Sequence, residues 1–168
     1  LDVTYLVNAR YASKNYITSL DLLKNVFDDS IVLLHGDLVF EESVARDIVN
    51  SSESSIVVDS SLPLPAKDFK ARVRNGKVSE VGIDVFGSDS LACQPMYYLT
   101  RRDWNLWQKE IHAFCARGEE SVYAENALNM ISEDLMIFPL DVKGRLCMEI
   151  DNEEDLMTAR RLLEKHNG

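Results

Sequence analysis

The stretch Ile31-Val-Leu-Leu-His-Gly-Asp-Leu-Val-Phe40 places four apolar residues shortly before a Gly-Asp pair. Such an apolar run predicts a strand that is buried on both faces of a parallel sheet. Open α/β sheets bind their ligands beyond the carboxyl ends of such strands, which is where Asp37 is expected. Gly36 lets backbone and ligand approach closely there. Asp37 is therefore a candidate functional carboxylate; the alternative is that it only caps a turn.

The composition argues against several classes of function. The 168 residues are 46% hydrophobic, and 18 basic against 28 acidic residues give a formal net charge of −10. Nucleic-acid binding needs a basic face, so we expect no nucleic-acid partner. No apolar run reaches transmembrane length and no secretory signal pattern occurs, so we expect no membrane partner. Cys93, Cys115 and Cys147 are odd in number and far apart, which favours free thiols and a cytoplasmic protein. Neither a zinc-ligand spacing nor a nucleophile-elbow pattern occurs.

Strand and helix patterns alternate around the opening stretch. Residues 3–7 read as a strand, and apolar residues at helical spacing predict a helix over 13–27, so that the chain begins with a βαβ unit. A short helix with Val44 and Ile48 on its inner face and a buried strand at 55–59 follow. The sequence therefore predicts an α/β fold with a mostly parallel central sheet flanked by helices.

The second half of the chain adds an antiparallel β-hairpin and three helices. Asn75-Gly76 between the runs 69–74 and 77–83 is a strong hairpin signal. Pro95 within the run 91–99 predicts an edge strand or a bend. The remaining predicted elements are a helix at 101–117 with Trp104, Trp107, Ile111 and Phe114 on its core face, a helix at 123–131, strands at 136–140 and 145–150, and a helix at 153–165. No repeat or low-complexity linker occurs, so residues 1–168 are predicted to form one domain.

Four motifs follow one another along the chain. They are Asn8-Ala-Arg-Tyr-Ala-Ser-Lys-Asn15 with Ser19-Leu20, His35-Gly-Asp-Leu-Val-Phe40, Tyr123-Ala-Glu-Asn-Ala-Leu128, and Met148-Glu-Ile-Asp-Asn-Glu-Glu-Asp-Leu156. In order and spacing they resemble the nucleotidyltransferases of the phosphocholine cytidylyltransferase type, which have a glycosyltransferase-A-like fold. The resemblance covers roughly the C-terminal two thirds of that fold. The family's glycine-rich phosphate loop and Pro-Lys pair precede the matched motifs and do not occur here, so we expect the N-terminal part of the fold to be missing.

This resemblance implies a Mg²⁺-dependent transfer of a nucleotidyl group. The donor it implies is CTP, and the acceptor is a small phosphorylated molecule such as phosphocholine or a 2-aminoethylphosphonate-like amine; pyrophosphate is released. Mg²⁺ held by one or two carboxylates neutralises the phosphate charge in such a transfer. The resemblance assigns Asp37 and Asp151 as the catalytic residues and metal ligands. Capping of the last helix is the alternative role of Asp151.

Three residues are candidate contacts for phosphate or support for the metal. Glu149 points to the opposite face from Ile150 and is expected to support the site. Asn15 is expected to contact nucleotide or acceptor phosphate near a helix N-terminus, or else to be a surface residue. Lys70, or its neighbour Lys67, is expected to meet the acceptor phosphate; the alternative is a solvated lysine.

Tyr123 and Glu125 are the candidates for binding a cationic acceptor head. An aromatic face and a carboxylate two residues apart can bracket an amine by cation–π and ionic contact. The alternative for Glu125 is a favourable interaction with the helix dipole.

Three further expectations stay open on the sequence. The same fold can act on a sugar 1-phosphate, or the chain can be a non-catalytic binding or assembly module. Without a phosphate loop, the 168-residue chain alone is not expected to catalyse transfer. It is also expected to expose an apolar sheet edge and to associate, with a homo-oligomer as one outcome.

Overall fold

The computed structural model describes residues 2–166. Within these residues six strands form one sheet in the order β5-β4-β6-β3-β7, with β1 also paired to β6, while β2 and β8 form a separate two-stranded sheet. The strands are β1 (Ile31–Leu34), β2 (Leu38–Phe40), β3 (Ser55–Asp59), β4 (Lys70–Arg74), β5 (Lys77–Gly82), β6 (Ser90–Leu99), β7 (Phe138–Asp141) and β8 (Cys147–Glu149); the helices are α1 (Ile17–Asp21), α2 (Glu42–Val49), α3 (Arg101–Ala116), α4 (Ala124–Met130) and α5 (Glu153–His166).

The predicted α/β fold class is confirmed, and most strands of the main sheet share one direction. Strands β1, β3, β4 and β7 run one way, whereas β5 and β6 run the other way. Because β6 lies between β3 on one side and β1 with β4 on the other, most hydrogen-bonded neighbours are antiparallel. The pair β3–β7 is parallel.

The predicted βαβ unit at the start of the described chain is wrong. Residues 2–7 are exposed and form neither strand nor helix, because no described strand pairs with them. Helix α1 is much shorter than the predicted 13–27, and the chain beyond it turns through Asn25 at φ 62°. Strand β1 pairs antiparallel with β6, and its residues alternate between half-buried and exposed instead of being buried on both faces.

Strand β6 lies in the interior of the sheet, so the prediction that Pro95 marks an edge strand is also wrong. The irregularity in the strand that Pro95 predicts is present. The register against β3 shifts between Ile56 and Val58, which pair with Tyr97 and Cys93 respectively, so β6 bulges around Pro95. On the opposite side, β4 pairs with β6 as far as Ala92 and β1 pairs from residue 96 onward. A gap therefore opens between β1 and β4 beside the bulge.

Predictions for segments with strong local signals are confirmed. Strand β3 is buried along its whole length, and both Asn75 and Gly76 have the positive φ of a tight hairpin turn. The four predicted core residues of α3 are each at most 6% exposed. Three free thiols are present among the described residues, as predicted. None of the described helices is both long and apolar enough to cross a membrane.

A buried polar cluster ties three elements of the core together. Glu125 in α4 is 1% exposed, and its carboxylate accepts hydrogen bonds from Tyr97 of β6, at 2.8 Å, and from Tyr16 just before α1. Burial raises the pKa of Glu125, and the two tyrosine hydrogen bonds only partly oppose this effect. We call these three residues the Glu125 cluster.

The Glu125 cluster predicts a pH-dependent stability. A buried carboxyl whose folded-state pKa is raised contributes stability below its unfolded pKa and loses it as pH rises through the folded pKa. Glu125→Gln resembles the protonated form and lacks this loss. As pH rises, we therefore expect the melting temperature of the variant to increase relative to that of the unmodified chain. Each kcal/mol of unfolding free energy that the unmodified chain loses corresponds to roughly 2–4 °C. Thermal unfolding at a series of pH values measures the difference; a difference that does not change with pH contradicts the prediction.

The exposed side chains of β1 predict self-association. Val32 and Leu34 are 38% and 44% exposed, and no described strand pairs with the outer side of β1. An unpaired, apolar strand edge favours association. The double variant Val32→Lys, Leu34→Lys is expected to shift the chain toward monomer in sedimentation velocity. Val49→Lys, at an exposed apolar position at the end of α2, is the matched control; an equal shift in both variants contradicts a role for the β1 edge.

Candidate functional site

The carboxylates of Asp37 and Glu149 lie close together because β2 pairs with β8. Leu38 of β2 is opposite Glu149, and the backbone N–H of Ile150 donates to the carbonyl of Asp37 at 3.0 Å. The strand before Asp37, β1, pairs with β6, whereas the strand before Asp151, β8, pairs with β2. Asp37 directly precedes β2 and Asp151 follows Ile150 just beyond the end of β8, so the hydrogen bond from Ile150 to Asp37 brings the backbones of these two residues close together.

Three side chains form a compact group of potential metal ligands. One donor atom each from His35, Asp37 and Glu149 lies within 4.8 Å of the others. His35 Nδ1 is 3.3 Å from Glu149 Oε1. Burial lowers the pKa of His35, but its contact with Glu149 and the nearby carboxylates outweigh burial, so that the pKa is raised overall. The group combines two carboxylates and one imidazole.

Asp151 lies outside this group but beside it. It is exposed, and it lines the same cavities as Glu149. The N-terminus of α5 is capped by Asn152, whose side-chain oxygen accepts from the N–H groups of Glu154 and Asp155. Capping through the Asp151 side chain, the alternative role, is therefore not what the structure shows.

Two adjoining cavities of about 380 and 200 Å³ share Lys67, Asp68, Glu149 and Asp151 among their lining residues. We call them together the cleft. It lies at the gap between β1 and β4, and its smaller end is also lined by His35, Tyr16 and Tyr123. A larger concavity of about 510 Å³ beside α3 contains no residue of the four motifs. The cleft is therefore the candidate site.

Lys70 and Asn15 support the cleft from outside it. Lys70 is fully buried, and its ammonium donates to the carbonyls of Pro65 and Asp68 at 2.6 and 2.9 Å. It holds the loop that carries Lys67, and Lys67 is the lysine that lines the cleft. The side-chain oxygen of Asn15 accepts from the N–H of Tyr16 at 2.7 Å, so Asn15 positions a residue of the cleft wall.

Tyr123 lies at the smaller end of the cleft, whereas Glu125 is buried beside it. Tyr123 is 40% exposed, and its ring centre is 5.1 Å from that of Phe69 and 6.4 Å from that of Tyr16. Glu125 lines an adjacent concavity of about 300 Å³ together with Tyr123. The Glu125 carboxylate is buried and accepts hydrogen bonds from two tyrosines. The alternative role, a surface contact with the helix dipole, therefore does not describe it.

Sequence reasoning missed three residues of this region. The sequence analysis assigns no role to His35, because the chain has no metal-ligand spacing of histidines; its place next to Gly36-Asp37 is the signal that finds it. Tyr16 directly follows the first motif. Gln94 lines the larger cavity, and its buried Oε1 has no hydrogen-bond partner among the described residues. No sequence pattern indicates Gln94, because its burial depends on the bulge in β6.

Comparison with known proteins identifies the fold. No protein-family model matches the sequence, and no curated protein matches it significantly. Among solved structures, LicC, the CTP:phosphocholine cytidylyltransferase from Streptococcus pneumoniae, matches with a TM-score of 0.72 and 15% identity over 93% of this chain and 67% of that chain. A protein assigned as a glucose-1-phosphate thymidylyltransferase from Bacillus anthracis gives 0.70 and 19%, over 95% of this chain and 64% of that one.

The inositol-1-phosphate CTP transferase from T. maritima matches with a TM-score of 0.65 and 18% identity, over 94% of this chain and 65% of that chain. The chain thus spans about two thirds of the length of these structures. Likeness at such low identity shows the fold and does not distinguish a phosphocholine type from a sugar-phosphate type. The chain has the α/β fold of nucleotidyltransferases.

Proposed function

We propose that this chain provides the metal-binding and acceptor-binding part of a nucleotidyltransferase that transfers CMP from CTP to a small phosphorylated amine. Phosphocholine and a 2-aminoethylphosphonate-like molecule are acceptors of this class. The observation that supports the proposal most is that Glu149 and Asp151 line one cleft of a nucleotidyltransferase fold, with a donor atom of Asp37 within 4.8 Å of one from Glu149.

The carboxylates of the cleft suit a hard cation. Carboxylate oxygens are the ligands that Mg²⁺ prefers, and in the proposed site Asp37 and Asp151 hold the ion while Glu149 supports it. A bound Mg²⁺ supplies charge neutralisation on the phosphate oxygens. The contribution of the chain is to hold the nucleotide and the acceptor in line, because phosphoryl transfer depends mainly on positioning and electrostatics.

The acceptor is proposed to lie along the cleft between a cation and an aromatic wall. Lys67 is exposed and lines both cavities, so its ammonium can pair with the acceptor phosphate. At the smaller end Tyr123 offers an accessible ring face, with Phe69 and Tyr16 beside it, for a cationic head. Glu125 carries the nearest buried carboxylate on this side.

The main alternative keeps the reaction and changes the acceptor to a sugar or polyol 1-phosphate. The structures named for glucose-1-phosphate and inositol-1-phosphate substrates favour it. A third possibility is a non-catalytic binding or assembly module. A thermal-shift screen of CTP, UTP and dTTP with Mg²⁺, followed by the candidate acceptors, separates these functions. The protein should carry its natural N-terminus. Stabilisation by CTP with an aminated acceptor supports the proposal, and the absence of any nucleotide effect supports the binding module.

Asp37→Asn tests the metal role. The substitution keeps the shape of the side chain and removes its charge, so turnover of the protein that carries its natural N-terminus is expected to be abolished. Because Asp37 is exposed, the melting temperature is expected to stay within about 2 °C. Asp2→Asn, at another exposed carboxylate, is the control for loss of one charge. Normal Mg²⁺-dependent turnover of the Asp37 variant rejects this assignment.

Glu125→Gln and Tyr123→Leu test the acceptor end of the cleft. Loss of a paired carboxylate costs more than loss of a cation–π contact of roughly 0.5–2 kcal/mol. The acceptor KM is therefore expected to rise strongly in the first variant and less in the second, while the affinity for CTP is retained. Steady-state kinetics of the protein that carries its natural N-terminus, with each substrate varied in turn, measures both, with Tyr5→Leu at an exposed position as control. An equal loss of CTP and acceptor affinity shows that the amine pocket lies elsewhere.

A further inference from the structure

The larger concavity beside α3, of about 510 Å³, shares no lining residue with the cleft. One wall is a single face of α3, because its residues recur at helical spacing; they are Asn105, Gln108, Lys109 and His112. The segment after α1 forms the other wall and contributes Lys24 and Asp28. A concavity of this size accommodates a small molecule.

Hydrogen bonds join the two walls. Gln108 Nε2 donates to the carbonyl of Leu20 at 2.7 Å, and His112 Nδ1 is 2.9 Å from Oδ1 of Asp21. Leu20 and Asp21 both belong to α1, so these contacts hold the start of one wall against the other. The concavity is therefore a fixed feature of the packing between α1 and α3.

The concavity carries free positive charge, although the net charge of the chain is −10. Lys24 and Lys109 are exposed, and neither ammonium has a hydrogen-bond or ion-pair partner among the described residues. The carboxylate of Asp28 accepts hydrogen bonds from Arg101 and Asn105. Because Arg101 balances the charge of Asp28, the two lysines leave this surface open to an anion.

The side chain of Gln108 provides an independent observation in the same concavity. Gln108 is 7% exposed, and its buried Oε1 has no hydrogen-bond partner among the residues that the structure describes. A buried amide oxygen without a partner is costly, and only an O–H or N–H group can satisfy it. The oxygen is covered, so the exposed side chains around it must shift for a donor to reach it. Lys24 and Lys109 make no described bond that would oppose this shift.

We propose that this concavity binds a small phosphomonoester that also bears hydroxyl groups, such as a sugar phosphate. The phosphate is bound by the ammoniums of Lys24 and Lys109, and a hydroxyl group donates to Oε1 of Gln108. A phosphomonoester carries a charge of about −1.5 to −2 near neutral pH, which suits two ammoniums. This site shares no residue, metal or nucleotide with the proposed function and does not rest on it.

The test titrates glucose 6-phosphate into the full chain by calorimetry in the presence of EDTA. Because carboxylates such as Glu149 and Asp151 line the cleft, the cleft disfavours an anion when no divalent cation is bound. Glucose 6-phosphate is expected to bind more tightly than inorganic phosphate, and glucose is expected not to bind. The affinity should fall as ionic strength rises, because both lysines are exposed.

Substitution of the lysines locates the bound phosphate. Lys24→Gln and Lys109→Gln are each expected to weaken binding of glucose 6-phosphate about fivefold or more, because each removes a charge-assisted hydrogen bond. Lys67→Gln is the matched control, since it removes the same charge from the cleft. This variant is expected to retain the affinity of the unmodified chain.

Gln108→Met tests the contact with the hydroxyl group. The substitution keeps the length of the side chain and removes its amide, so the preference for glucose 6-phosphate over inorganic phosphate is expected to be lost. The affinity for inorganic phosphate should stay within about twofold, because the lysines remain. Since the bond to Leu20 is also lost, the melting temperature reports whether the variant folds. If it does not fold, the lysine variants still decide whether the site exists.

Absence of binding, or binding that Lys67→Gln weakens as much as the other two lysine variants, overturns the proposed site. Equal affinity of the unmodified chain for inorganic phosphate and glucose 6-phosphate overturns the role of the hydroxyl group. The proposed function fails separately. A chain that binds glucose 6-phosphate through Lys24 and Lys109 but is stabilised by no nucleotide refutes the function and retains this site.

Discussion

The buried carboxylate of Glu125 is the constraint on which the cleft depends. A carboxyl group that is 1% exposed is costly to bury, and hydrogen bonds from Tyr16 and Tyr97 offset part of that cost. These bonds join the segment before α1 to the central strand and to α4. Because Tyr16 then packs against His35, the position of an imidazole at the metal-ligand group follows from a carboxylate in the core.

The second constraint is the bulge around Pro95. Proline cannot donate to a neighbouring strand, and here it lies where neither β1 nor β4 pairs with β6. Its carbonyl instead accepts from His35, so the end of β1 is anchored at the gap. The interruption that weakens the ladder thus provides both the opening of the cleft and the fixed end of β1, the strand that leads to Asp37.

The sequence predicted segments whose signal is local and missed features that depend on distant pairing. The tryptophan face of α3 and the Asn75-Gly76 turn are encoded within a few residues, and both are confirmed. The pairing of β1 and the central place of β6 depend on strands far away in sequence, so periodicity could not assign them. Lys70 reads as solvated, yet loop carbonyls satisfy it in the core. The motif order placed Asp37, Glu149 and Asp151 at one site, and their roles stay predictions.

The charge of the cleft bears on how a phosphorylated substrate could enter it. Asp68, Glu149, Asp151 and Asp155 line the larger cavity against the single ammonium of Lys67, in a chain with a net charge of −10. Carboxylates at such short range repel one another and repel phosphate, because the low dielectric of a cleft strengthens their interaction. A divalent cation at Asp37 and Glu149 relieves both repulsions at once. Under the proposed function, nucleotide therefore binds together with the metal or after it, because the cleft by itself disfavours an anion.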